Sequence, residues 1–211
     1  MMSAREDMLA RIATALEGAE RTPPPDHPYG AVTPLADLAA TFVECVEDYR
    51  AVVQRVTPDG IAAAVAEALS RATRIVVPPG LPTEWLAVLD GVEVVADDGH
   101  LSADELDRFD AVVTAARVGI AVTGTIVLDH GPDQGRRALS LVPDLHICVV
   151  HESQLVGDVP ESIAPLRDAV DAGRPLTWIS GPSATSDIEL ERVEGVHGPR
   201  TLHVLLVAPT S

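Results

Sequence analysis

Lysine is absent from this chain of 211 residues, as is asparagine, and all 15 basic residues are arginines. Genomic base composition is the simplest cause. The absence still excludes a P-loop lysine, a Schiff base and a lysine general base. Cysteine is nearly absent: Cys45 and Cys148 lie far apart in apolar contexts. An iron–sulfur cluster needs about four ligands, so the chain cannot hold one, and two buried, reduced thiols are expected. Positive charge is scarce as well, with 15 basic residues against 32 acidic ones and a net charge of −17. Such a surface repels nucleic acid and anionic membranes. No apolar run approaches the roughly 18 residues of a membrane span. The N-terminal stretch is acidic and amphipathic, unlike a signal peptide, and a reducing cytoplasm is the expected setting. G-x-G-x-x-G, Walker, G-x-S-x-G and HExxH patterns are all missing. Neither metal nor cofactor is therefore expected of this chain.

The apolar content is high, at 46%, which suits one α/β domain with a small appendage. Leu9, Ile12, Ala13 and Leu16 repeat at helical spacing and predict a first helix over 3–20. Five prolines between Arg21 and Pro34 read as an extended linker. Thr33 and Pro34 then predict a helix start, with Leu35, Leu38, Ala39, Phe42, Val43 and Val46 as its apolar stripe. Residues 1–45 thus read as a helical lead-in that packs on a neighbour or on a second copy of the chain.

Over 46–211, short β-branched runs alternate with amphipathic helices. Strands are predicted at 51–56, 74–77, 92–96, 111–115, 145–150, 176–179 and 202–207, and helices after Pro58 and near 83–89, 102–108 and 164–172. Ser102 and Glu105 match a capping box, and Thr57 a helix cap. The alternation predicts a mostly parallel sheet covered on both faces. Adjacent apolar runs at 111–128 predict an added antiparallel pair.

Four pieces have the residue types of a ligand site. Ser180-Gly-Pro-Ser-Ala-Thr-Ser-Asp-Ile-Glu189 follows an apolar strand; Ser180, Gly181, Ser183 and Thr185 offer hydroxyls and backbone N–H groups to a phosphate or carboxylate. Asp187 and Glu189 supply carboxylates there, although Ser186 and Glu189 also match a plain capping box before a helical turn. Thr123-Gly-Thr125 joins two apolar runs, and Gly124 permits a sharp turn or a close ligand approach. Arg136 and Arg137 are adjacent arginines able to clamp an anion, or a solvated surface pair. His197, on a glycine-bordered turn, is the candidate for proton transfer, or a turn residue only. His146 and His203, within strands, read as packing residues.

The closing string SGPSATSDIELERVEGVHGPRTLHVLLV strongly resembles the final motif of the LUD domain, and more narrowly that of the LutC/YkgG lactate utilization family. GIAVTGTIVL at 119–128 and RRALSLVPDLHICVV at 136–150 resemble its middle motifs. The resemblance covers roughly residues 45–208. It implies a three-layer α/β/α sandwich of the NagB/RpiA/CoA-transferase-like type. It also implies a part in oxidising L-lactate to pyruvate beside two iron–sulfur partner proteins that carry the redox centres. A small anionic ligand would then lie among Thr123–Thr125, Arg136 or Arg137, Ser180–Ser183 and Asp187–Glu189. One position departs from the family: Val122 stands where many LUD proteins have an acidic residue, which weakens a glutamyl-nucleophile chemistry. The alternatives are a stand-alone CoA-transferase-like or sugar-phosphate-isomerase-like enzyme, and a regulatory or scaffold protein.

Overall fold

A computed structural model describes residues 4–18, 34–185, 193–194 and 198–209. Its contacts divide the chain into two units, with the break between residues 31 and 32. In the first unit, helix α1 (Ala4–Ala15) buries none of its residues and carries an Arg11–Asp7 ion pair one turn apart, at 3.0 Å.

The second unit opens with α2 (Leu38–Asp48). Its cap is Asp37, which accepts from the Ala40 N–H at 2.9 Å; the helix starts four residues after the predicted Pro34, and Thr33 lies outside the described residues. Reading 1–45 as a lead-in places α2 outside the body. In the structure, Phe42 and Val46 are fully buried within the second unit.

There follow β1 (Val52–Val56), α3 (Ile61–Ala68), β2 (Arg74–Val77), β3 (Glu93–Ala96), α4 (Ala103–Leu106) and β4 (Ala111–Ala115). The chain continues with β5 (Val118–Ile120), β6 (Thr125–Leu128), β7 (Leu145–His151), β8 (Leu155–Val156) and α5 (Val159–Asp171). It closes with β9 (Thr177–Ile179), β10 (Ala184–Thr185), β11 (Val193–Glu194) and β12 (Thr201–Val207).

Six strands form a wholly parallel sheet in the order β1-β12-β7-β4-β2-β3. Buried on both faces, its central strands are continuous apolar runs such as Ile147-Cys-Val-Val150, not alternating ones. One face is covered by α3, through Ile61, Val65 and Leu69, and by a 3-10 turn at Thr83–Leu86 carrying Trp85. The other face is covered by α2 and by a second sheet, β8-β5-β6-β9, whose Ile126 and Leu128 meet Cys148, Val150 and Leu206. Helix α5 packs on the far side of that second sheet through Leu166. The architecture is thus α/β, with a mostly parallel central sheet and an N-terminal helix, and the added antiparallel pair is β5–β6.

Local expectations fared unevenly. The Ser102–Glu105 capping box is present with both of its hydrogen bonds. Thr57 makes no side-chain cap bond. The helix predicted near 83–89 is only the short 3-10 turn, because buried Trp85 anchors it and Gly91 turns the chain away. Helix α5 begins at Val159, five residues earlier than predicted. Asp158 and Glu161 cap it, and Pro160 lies in the first turn, where its missing N–H costs nothing. The capping box expected at Ser186 and Glu189 lies outside the described residues; just before it, β10 pairs antiparallel with β11.

Two connections diverge at the middle of the central sheet. From β2 the chain moves outward to β3; from β4 it moves the other way, to β7 and β12. The carboxyl ends of β2 and β4 therefore border a topological switch point, where open α/β sheets bind ligands. Loops from both sides meet there, with Gly80 N–H donating to the Pro132 carbonyl at 2.9 Å and Ala115 N–H to the Asp133 carbonyl at 3.0 Å.

Candidate functional site

The predicted residues gather at two places, at opposite ends of the β6–β9 pair. Antiparallel register sets Ile179 opposite Ile126 and Thr177 opposite Leu128. Ser180 is thereby brought to Thr125 at one end, and Thr177 to His130 at the other. About 13 Å of extended strand separates Thr125 from Asp129.

At the first end, Thr123 donates its hydroxyl to Thr125 Oγ1 at 2.8 Å. Thr125 in turn reaches the Thr123 carbonyl at 3.3 Å, and its Oγ1 lies 2.8 Å from Ser180 Oγ. A hydroxyl carries one proton. Either Thr125 or Ser180 donates in that contact, so the three hydroxyls satisfy one another with at most the Ser180 proton left over. The turn itself is seated on α2. Gly124 has φ +55°, and a Cβ there would lie 2.6 Å from the Cys45 carbonyl carbon. Gly181, at φ +89°, packs against Tyr49 in the same way. Ser183 N–H donates to the Pro199 carbonyl at 2.8 Å. Val122 is exposed beside Cys45 and Tyr49, at the mouth of a cavity of about 340 Å³.

At the second end a cavity of about 650 Å³ opens at the switch point, lined by Arg136, Arg137, Arg174, His130 and Asp97 among others. Arg136 is already committed: its guanidinium grips Asp97 through two bonds, Nε–Oδ2 at 2.8 Å and NH2–Oδ1 at 3.1 Å, and also donates to the Leu101 carbonyl. The bond to Asp97 raises the Arg136 pKa further above its ordinary value. Asp97 is 5% exposed, and a nearly buried carboxylate needs such a partner. Asp129, equally buried, accepts from Arg174 at 3.0 Å and from the Gly131 N–H at 3.2 Å. His130 adopts a left-handed backbone, φ +56°. Its Nδ1 lies 2.8 Å from the Gly135 carbonyl and its Nε2 2.8 Å from Thr177 Oγ1. A carbonyl only accepts, so Nδ1 carries a proton and the neutral ring takes the Thr177 hydroxyl at Nε2. Arg137 is exposed, and its guanidinium has no partner among the described residues.

The LUD domain family model matches residues 38–207. This chain belongs to the LUD domain family. It is 49% identical over 204 residues to lactate utilization protein C of Deinococcus radiodurans, covering 97% of this chain and 95% of that protein. It is 31% identical over 117 residues to lactate utilization protein C of Bacillus subtilis, spanning about half the length of that relative (48%). Among solved structures, a DUF162 family protein from Deinococcus radiodurans, determined by crystallography at 1.70 Å, superposes with a TM-score of 0.72 at 45% identity. That match covers 82% of this chain and 99% of the other.

Within this LUD domain the structure brings together Thr123, Gly124, Thr125, Ser180 and Gly181, while Ser183 lies against Gly198 and Pro199. It separates them from Arg136 and Arg137, which belong to the other end. Thr185 takes part through its backbone in the β10–β11 ladder. Asp187, Glu189 and His197 lie outside the described residues. Four residues of the arginine end went unselected in the sequence: Asp97, Asp129, His130 and Arg174. Their common signal is position, since each directly follows the end of β3, of β6 or of the Gly173 turn. The strand histidines are packing residues. His146 is fully buried against Thr114 at 2.8 Å, and burial pushes its pKa down to about 4. His203 is half-buried, and burial lowers its pKa too. The two cysteines stay free; burial pushes the Cys148 thiol up to about 12, and burial with nearby Glu44 and Asp48 raises that of Cys45.

Proposed function

We propose that this LUD domain protein serves in a cytoplasmic system that oxidises L-lactate to pyruvate, binding a small anionic ligand while iron–sulfur partner proteins carry the electrons. The observation that carries this reading is its 49% identity over nearly the full length of a protein named lactate utilization protein C. Two features of the chain support the division of labour. Two separated thiols are too few to ligate a cluster, which supports leaving the electron carriers to other chains. Among the described residues, no group of three or more histidine, cysteine, aspartate or glutamate side chains is placed to hold a metal ion. Among the same residues, no helix is long and apolar enough to cross a membrane.

The reading is tested by deleting the gene for this chain and measuring growth on L-lactate and lactate-dependent pyruvate formation in extracts. Both should be lost, and both restored by a plasmid-borne copy. Undiminished growth and pyruvate formation in the deletion strain would overturn the reading.

A further inference from the structure

The geometry points to the cavity at the arginine end as the anion site of this protein, and to an organic anion with an apolar body as its occupant. This rests on the anion-binding part of the reading above and names its place and ligand class.

Location is the first reason. The cavity lies at the switch point of the parallel sheet, built on the loops that follow β2, β3 and β6.

Charge is the second. Three arginines line it, with Asp97 and Asp98 beside them and Asp129 paired to Arg174, in a chain with a net charge of −17. Their roles differ. Arg136 is locked to Asp97 and serves as wall. Arg174 is oriented by Asp129, and its Nε–H is buried without an acceptor. Arg137 has no partner among the described residues. A guanidinium held by Asp129 and an exposed one lining the same cavity are suited to capture of a carboxylate or phosphate.

Size and wall chemistry supply the third reason. About 650 Å³ of open cavity has room for more than lactate alone. Pro79, Pro132 and Pro175 line the same space. Proline rings offer apolar surface next to the charged heads. The occupant therefore has an anionic group for Arg137 and Arg174 and an apolar portion for the prolines.

The other end of the β6–β9 pair argues by contrast. Its three hydroxyls bond to one another, with at most the Ser180 proton left for an anion.

The test is calorimetric titration of the full-length protein with benzoate, phenyl phosphate, inorganic phosphate, L-lactate and neutral benzyl alcohol. Benzoate or phenyl phosphate should bind at least about tenfold more tightly than phosphate or lactate, and benzyl alcohol should show no binding. Arg137→Ala should weaken the anions about tenfold, with partial rescue by Arg137→Lys. Arg174→Lys keeps a cation near Asp129 and should weaken binding while the protein stays folded. Ser180→Ala should change nothing. Preference for benzoate identifies an organic acid, and preference for phenyl phosphate a phosphorylated ligand; each supports the site. Absence of anion binding, or unchanged affinity in Arg137→Ala, would overturn it. Lactate or phosphate binding as tightly as the larger probes would overturn the apolar-body part. Growth on lactate is scored separately, so a failed lactate role leaves the binding result standing, and the reverse.

Discussion

At one end of the β6–β9 pair, three hydroxyls close on one another and two glycines are pressed onto α2; at the other, two buried aspartates hold two arginines while a third stays unengaged. Both ends use the same vocabulary of turns, small residues and polar groups next to apolar strands. They differ in what happens to the hydrogen-bond donors. A cluster that consumes its own donors is a clasp between chain segments. A cluster whose donors outnumber its acceptors retains the capacity to bind. The residue types in a loop therefore say less about binding than the count of donors left over after folding.

The comparison breaks most forcefully at Gly124. Gly124→Val places a β-branched side chain at φ +55° and a Cβ within 2.6 Å of the Cys45 backbone. A loss of about 4 kcal/mol in chemical denaturation is expected, from left-handed strain plus displacement of α2. A loss below about 1 kcal/mol would mean that the hydroxyl end does not clasp α2.

At the arginine end the largest stability effect falls on the pair and not on the free cation. Asp97→Asn leaves Arg136 without its counter-charge in a nearly buried contact. About 2–3 kcal/mol should be lost, less than for a fully buried pair because Arg136 keeps 33% of its side-chain surface. Anion affinity should fall with it, since the cavity wall moves. A variant of wild-type stability would show that Asp97 does not hold that wall.

The smallest effects sharpen the contrast most. Ser180→Ala removes one donor from the hydroxyl cluster and should cost about 1 kcal/mol with no change in anion affinity. Arg137→Ala should stay within about 0.5 kcal/mol of the parent in stability while losing affinity. Denaturation and calorimetry on both variants form a double dissociation. If Ser180→Ala lost the affinity instead, the roles of the two ends would be exchanged.

Much of the fold was legible because burial leaves a signature in the chain. Runs such as Leu-His-Ile-Cys-Val-Val over 145–150 read as strands since a parallel sheet is covered on both faces. Ser102 and Glu105 read correctly because a capping box is local. What escaped was non-local. Arg136 and Arg137 are neighbours in sequence, and nothing there reveals that one grips Asp97, 39 residues away. Helix α5 starts at Val159, ahead of the expected 164, although its start signal of Asp158, Pro160 and Glu161 is local. Thr123–Thr125 and Ser180 were rightly grouped, but the hydroxyl pairing that closes them follows from the β6–β9 register, which no spacing announces. His130 is set apart by a left-handed backbone and two ring contacts that exist only once Gly135 and Thr177 are brought to it.

The most direct test is a titration of isotope-labelled protein with phenyl phosphate, followed through the backbone amide resonances of its glycines. Gly99, Gly131 and Gly135 mark the arginine end, and Gly124 and Gly181 the hydroxyl end. Saturable shifts at the first three, with the last two still, are the predicted result. Shifts confined to Gly124 and Gly181, or none at either end, would contradict the assignment of the anion site.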